Sequence, residues 1–299
     1  MAEMAAIKSR IASVTETKKV TDAMYMISSV KMNKAKKAVE NTAPYFSALK
    51  TEIGELFRHI PTTSNRYFSA PDPATAPPRG ILLVTSDKGL AGSYNQSALQ
   101  VCEAYLERHP EARVFIVGEY GRQTFAAKGV PFEKDFRYSA ELPTVWRARM
   151  ICADLLEAFD SGKVGEIHII YTDYTGSGVS QSKRQILLPL ERSRFAAPTT
   201  AEEQSRTLFV PDPDTVLSGI IPSYLTGFIY SSLVDSYCSE QQARMTAMSA
   251  ASRNAEEMLK DLKTRYNRIR QASITREITE ITAGARALRQ AKRAMEDPS

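Results

Sequence analysis

Cysteine is scarce in this chain, and what there is cannot form a framework. Cys102, Cys152 and Cys238 lie far apart and in no metal-ligand spacing. An odd, sparse count argues for a reducing compartment and against disulfide stapling. Histidine is equally thin: His59, His109 and His168 sit apart along the chain. His168 falls inside an apolar run, where a satisfied core histidine is the expectation. The cysteines have no neighbouring histidine to activate them and read as buried structural thiols. G-x-x-x-x-G-K-[ST] is missing, which excludes a P-loop, and no G-x-G-x-x-G follows a strand. No stretch approaches the roughly 20 apolar residues that span a bilayer. Met1 to Arg10 lacks the apolar centre of a signal peptide and is not an Arg- and Ser-rich leader. The expectation is a soluble chain, or a peripheral part of something larger, with no metal and no cofactor.

The bulk of the chain is ordinary. Of its 299 residues 43% are hydrophobic and 24% charged, so disorder of the whole is not expected. The net charge of +5 and pI near 9.0 fit an acidic partner, nucleic acid or an anionic surface without choosing among them.

Proline and glycine are also missing where it matters most. Residues Ala5 to Ala43 contain neither. Alternating steps of four and three from Ile7 give Ile11, Val14, Lys18, Thr21, Tyr25, Ser28, Met32, Ala35 and Val39. This is a diluted heptad stripe, and Val20, Met24 and Ile27 beside it are expected to carry the apolar face where it weakens. The reading is a long helix, kinked at Pro44 and continued by Leu49, Ile53 and Leu56 to about residue 60. Its lysines, among them Lys8, Lys18, Lys31 and Lys37, are spread around the helix without interleaved aromatics. That pattern is a solvated face or one turned to an acidic protein, and nucleic acid is not expected.

From Pro61 to Gly80 five prolines mark a linker or surface loop. Ile81 to Thr85 is then a short continuous apolar run, the pattern of a buried strand. Helical stretches follow near Asn95–Arg108 and Tyr120–Lys128, with a strand at Val114–Val117 between them. A further helix after Pro143 is expected to bury Trp146, Met150, Ala153, Leu156 and Phe159. Ile167 to Tyr171 and Ile186 to Leu188 complete four strands. Such alternation predicts an α/β layer with a mainly parallel, Rossmann-like sheet. Pro198 to Pro213 reads as loop.

From Ser223 to Asp297 there is no proline, and the only glycines are Gly227 and Gly284. The same stepping from Met245 gives Met248, Ser252, Ala255, Leu259, Leu262, Tyr266, Ile269, Ser273, Arg276 and Glu280, apolar to Ile269 and polar beyond. A helix of this length, on the order of 100 Å, must project from a domain of this size. The predicted plan is therefore residues 1–60 as one helix, 61–215 as linker plus α/β domain, and 216–299 as a second helix. The fold class is α/β, with an antiparallel coiled coil of terminal helices flanking the inserted domain. The longer C-terminal helix overshoots its partner, leaving Ile274 to Leu288 incompletely covered.

One segment invites a chemical reading. Thr85 to Asn95 follows a strand and precedes a helix, where backbone N–H groups can hold a phosphate. A tight turn with an Asn or Ser cap is the simpler account, since no acidic ribose partner follows.

Several stretches resemble the gamma subunit of bacterial F-type ATP synthases. Gln271 to Leu288, QASITREITEITAGARAL, is similar to that family's C-terminal signature. Ile11–Val14 with Thr17–Thr21, Ala23-Met24 and Lys31-Met32 resembles its first helix. Ser239–Met245 with Ala247-Met248, and Ser86–Leu90 with Asn95, are further matches in family order. Gly92-Ser93-Tyr94, Arg276, Arg286 and the run from Arg289 to Ser299 depart from the pattern. The resemblance implies a non-catalytic central stalk. It would couple ion-driven turning of a membrane ring of c subunits to ATP synthesis or hydrolysis in a hexamer of alpha and beta subunits. The epsilon subunit would be a further partner, and placement peripheral, on the cytoplasmic side of the bacterial cell membrane. It also implies rotor–stator contacts at Met24, Gln271, Thr275, Glu277 and Glu280, with Arg244 as a separate one. A coiled-coil scaffold with an α/β domain is the competing plan, but it would need stronger leucine heptads.

Overall fold

The computed structural model describes residues 2–59, 65–69, 76–175, 180–195 and 210–296. The elements in chain order are α1 (Ala2–His59), β1 (Arg79–Val84), α2 (Tyr94–Leu106), β2 (Arg113–Val117), α3 (Glu119–Lys128), α4 (Val145–Asp160), β3 (Glu166–Asp173), β4 (Gln181–Leu188) and α5 (Pro213–Glu296). A short 3-10 turn, Arg192–Phe195, precedes α5. The chain divides into two compact units, Met1–Tyr25 with Met248–Ser299, and Met26–Ala247.

The first unit is a helix pair. Lys18 Nζ lies 3.9 Å from Glu256, and the Ser252 hydroxyl donates to Asp22. Four residues forward on one helix match four residues back on the other, so the pair is antiparallel. Ile7, Ile11, Val14 and Lys18 are half-buried and Thr21 buried along α1. Met248, Ala255 and Leu262 are buried along α5, with Ser252, Leu259, Tyr266, Ile269 and Ser273 half-buried between and beyond them. Within this unit the stripes expected from fours and threes are the seam, except Tyr25, Arg276 and Glu280, which are exposed. Val20 and Ile27 are also exposed, so the expected shift of the apolar face onto Val20, Met24 and Ile27 does not occur. The small Thr21, 7% exposed, keeps the seam instead, because its hydroxyl donates to Lys18 O 2.8 Å away on its own helix. A satisfied hydroxyl buries at little cost.

The second unit is built on a four-stranded sheet of order β2-β1-β3-β4, with β4 antiparallel to β3 and the rest parallel. Successive residues of the strands point to opposite faces. Leu82, Val84, Phe115, Val117, Ile167 and Ile169 pack against α4 and against the parts of α1 and α5 in this unit. Ile81, Leu83, Val114, Ile116 and Ile170 pack against α2 and α3. Cover on both faces explains why the strands read as unbroken apolar runs.

Pro44 lies inside α1, and α5 starts at Pro213 and contains Pro222. Asp212 caps that start: its carboxylate accepts from Thr215 N at 2.9 Å, and proline suits the first helical turn. α5 holds an 18-residue window of mean hydropathy 1.3, half of it buried in the chain. The sequence reading undercounted that stretch, whose Leu217, Ile221, Leu225 and Ile229 belong to the sheet core. α4 presents the sheet a different face from the expected one. Ala148, Ile151, Cys152, Leu155 and Ala158 are buried, whereas Trp146 is 68% exposed. Small side chains let this helix lie close on the sheet; Trp146, Met150 and Ala153 of the expected stripe face out, while Leu156 and Phe159 are half-buried against the core. In the expected linker, Tyr67 is buried and its carbonyl accepts from Leu190 N, so residues 65–69 pack rather than link. Residues 61–64 and 70–75, and most of the Pro198–Pro213 loop, lie outside the described residues.

Candidate functional site

Among the described residues, two exposed surfaces and one loop hold the candidate site residues. The first surface lies on α1. Val20, Tyr25, Met26, Ile27 and Val30 are exposed, Val30 at 69%. They lie out of register with the seam, which is the signal that could have marked them as outward-facing. Met24, among them, is half-buried.

The second surface is the late part of α5. Every side chain from residue 274 to residue 289 is exposed. Ile274, Ile278, Ile281 and Leu288 run along it at helical spacing with no cover among the described residues. Gln271, Thr275, Glu277 and Glu280 are exposed on the same stretch. Their internal bonds are local: Thr275 Oγ1 donates to Gln271 O at 2.9 Å, and Ser273 Oγ reaches Glu277 at 3.5 Å. With the register set by Lys18–Glu256, Gln271 falls level with Glu3 and Met24 with Ala250. Met24 and Gln271 are therefore about 30 Å apart along the pair, at 1.5 Å per residue. The structure brings Gln271, Thr275, Glu277 and Glu280 together and keeps Met24 away from them.

Arg244 belongs to neither surface. It is 8% exposed and pairs with Glu240 at 2.6 Å. Its guanidinium also donates to Gly89 O at 3.0 Å and Lys88 O at 3.3 Å. Burial raises the Glu240 carboxyl above its ordinary range, although Arg244 pulls the other way. An ion pair this buried costs much desolvation, and removing one partner strands the other.

Arg244 thus fastens the loop after β1, the segment with the phosphate-site pattern. That loop is filled from within. Asn95 Oδ1 accepts from Ser86 N at 2.9 Å, and the Ser86 and Asn95 side chains bond each other. Asp87 accepts from Glu119 N, Ala140 N and Glu141 N at 3.1–3.2 Å and from the Ser139 hydroxyl. Gly118, at φ 96°, is required there, because a Cβ would stand 2.3 Å from Thr85 O. Sequence reasoning missed Asp87 as the tie that closes this loop.

The three thiols and His168 are held in their neutral forms. Burial pushes the thiols up, Cys102 to about 12 and Cys152 and Cys238 to about 11. All three are free and buried. His168 is lowered to about 4, mainly by burial, with Arg184 2.8 Å from its Nδ1. Among the described residues no His, Cys, Asp and Glu group has the makings of a metal site.

An antiparallel pair of terminal helices with outward-facing apolar and polar side chains in one unit, and a four-stranded α/β layer in the other, define a class of α/β proteins with a terminal helix pair. The chain belongs to the ATP synthase family, which it matches over residues 3–288, and within it to the gamma chains. It is 37% identical over 290 residues to the ATP synthase gamma chain of Ruminiclostridium cellulolyticum, covering 95% of this chain and 98% of that one. It is 32% identical over 297 residues to the sodium-ion-specific gamma chain of Acetobacterium woodii, covering 94% and 97%. In fold it is similar to a chain of the Euglena gracilis mitochondrial ATP synthase, with a TM-score of 0.65 at 14% identity, covering 97% of this chain and 96% of that one. A chain from the central stalk and c-ring of the Tetrahymena thermophila enzyme gives a TM-score of 0.57 at 21% identity, covering 78% and 99%.

Proposed function

We propose that this chain is the rotor subunit of an F-type ATP synthase and contributes no catalytic residue of its own. It stands among alternating alpha and beta subunits, with epsilon and the c-ring as its other partners. The complex sits at the cytoplasmic side of the bacterial membrane, and this chain is peripheral to the lipid. Residues 1–60 and 216–299 supply the stalk, and 61–215 the domain that rests toward the ring. Being asymmetric, the turning stalk presents a different face to each catalytic subunit and biases it between open and closed states.

The observation that carries this reading is the bare late stretch of α5. Apolar and hydrogen-bonding side chains displayed without cover suit a surface completed by another protein. Gln271, Thr275, Glu277 and Glu280 are the contacts we assign to that end and Met24 to the other. Arg244 acts through the loop it holds.

The test is co-purification of the tagged full chain from its own cells, with identification of what comes with it. Recovery of a nucleotide-binding hexamer is expected. Isolation of the chain alone, or a stoichiometric micromolar Mg-ATP site on it by calorimetry, would overturn the reading.

A further inference from the structure

In open α/β sheets the turn after the first strand and the start of a following helix hold a ligand's phosphate, because backbone N–H groups converge there. Here the donors that converge beside the loop after β1 come from the start of α3 and from residues 139–141, and the anion they hold is a side chain of the loop itself. Asp87, three residues beyond β1, places one carboxylate oxygen against Glu119 N, in the first turn of α3, and Ala140 N, at 3.1 and 3.2 Å. Its other oxygen accepts from Glu141 N at 3.1 Å and from the Ser139 hydroxyl. Four donors converging on one carboxylate form an anion site with its anion built in.

The neighbours of Asp87 are fastened to other elements. Arg244 of α5 holds the carbonyls of Lys88 and Gly89. Glu141, whose N–H Asp87 accepts, pairs with Lys31 of α1. Leu90 is held at φ 62°, a left-handed conformation that a non-glycine residue adopts only when its surroundings impose it. One short loop is thus tied to α1, α3 and α5 through side chains that no ligand needs to complete.

We propose that Asp87 is a positioning residue, an internal carboxylate that locks the loop after β1 to α3 and residues 139–141 and so, through the Glu141–Lys31 pair and Arg244, keeps that loop fixed to the parts of α1 and α5 in the same unit for the transmission of torque. This rests on the rotary reading. Removing the carboxylate leaves four donors facing an empty anion site, which a small anion can refill.

The experiment uses the assembled complex in vesicles, comparing the unmodified chain with Asp87→Ala, with and without sodium formate. Ion accumulation per ATP hydrolysed is measured beside the hydrolysis rate. The expected result is a several-fold drop in accumulation per ATP with hydrolysis largely kept, reversed in good part by formate and not by chloride at equal ionic strength. Hydrogen exchange on the isolated full chain should show faster exchange at the amides of Glu119, Ala140 and Glu141, slowed again by formate. Normal accumulation per ATP in Asp87→Ala would overturn the torque role, and unchanged exchange would overturn the lock. If Asp87→Ala fails to assemble, Ser139→Ala, which removes one donor and keeps the charge, must weaken coupling measurably. Unaltered coupling there would count as refutation. Failure of the unmodified chain to support ATP-driven accumulation would sink the rotary reading instead, and the exchange data would still judge the lock.

Discussion

Early α5 and late α5 both carry apolar side chains at helical spacing, and the two stretches spend them differently. Leu217, Ile221, Leu225, Ile229 and Leu233 are packed into the sheet core. Ile274, Ile278, Ile281 and Leu288 lie bare, Ile281 at 72% exposed. Burial stabilises by about 25 cal/mol per Å² of apolar surface, so only the early residues repay the chain for being apolar. The late ones cost nothing to the fold and give it nothing. On the proposed rotor reading they answer to a surface outside this chain, so that one helix is structural at one end and relational at the other.

The largest way to break that comparison is substitution within the buried end. Ile229→Ala removes a side chain that is 0% exposed and should cost about 2–5 kcal/mol in chemical denaturation of the purified chain. Ile281→Ala should stay within about 0.5 kcal/mol. Equal losses would erase the distinction.

A smaller effect tests the buried end through its charge. Burial, with help from Asp173, raises Asp235 to about 6, against the opposing pull of Lys183. The folded state then holds a proton that the unfolded chain releases at lower pH. The stabilising contribution is full below the unfolded value near 4 and is lost as pH rises through about 6. Asp235→Asn should therefore stabilise the chain by about 2–3 kcal/mol at pH 8 and hardly at all at pH 4. Thermal melting at the two pH values decides it, and an equal shift at both would refute the assignment.

On α1, Met24→Lys adds a mobile cation able to grip a carboxylate of a partner, an interaction of about 1 kcal/mol when partly desolvated. Ion accumulation per ATP hydrolysed should fall with hydrolysis largely kept. A drop in melting temperature with normal coupling would make Met24 a packing residue instead.

The smallest expected change in stability belongs to the bare end itself. Thr275→Ala with Glu277→Ala breaks only local bonds and leaves residues that favour helix, so melting of the free chain should hardly move. Steady-state ATPase and synthesis rates of the assembly should fall. Unchanged rates would leave these as solvated helix residues, and a large melting shift would make them part of the fold.

Much of this was legible in the sequence, for reasons visible at particular residues. The α5 seam could be stepped out from Met248 to Ser273 because one stripe alone is apolar there. The buried strands announced themselves by unbroken runs such as Ile81–Val84. α4 defeated the same method because it is apolar on two faces, and periodicity does not say which meets the sheet. Trp146 and Met150 outweighed Ala148 and Cys152 on paper, yet close packing rewards the smaller pair. Val20 and Ile27 misled for the opposite reason, since Thr21 satisfies its own hydroxyl and needs no apolar substitute. Asp87 was invisible as a tie because its partners, at residues 119 and 139–141, come together only through the crossover of the sheet.

The bare isoleucines of α5 also constrain how a cell must make this protein. The free chain carries Ile274, Ile278, Ile281 and Leu288 uncovered. Exposed apolar rows of this kind drive self-association when they persist. Copies made in excess of the partner subunits would be lost to aggregation or degradation. On the rotor reading, the side chains that suit this stretch to its neighbours thus tie the yield of this chain to the supply of theirs.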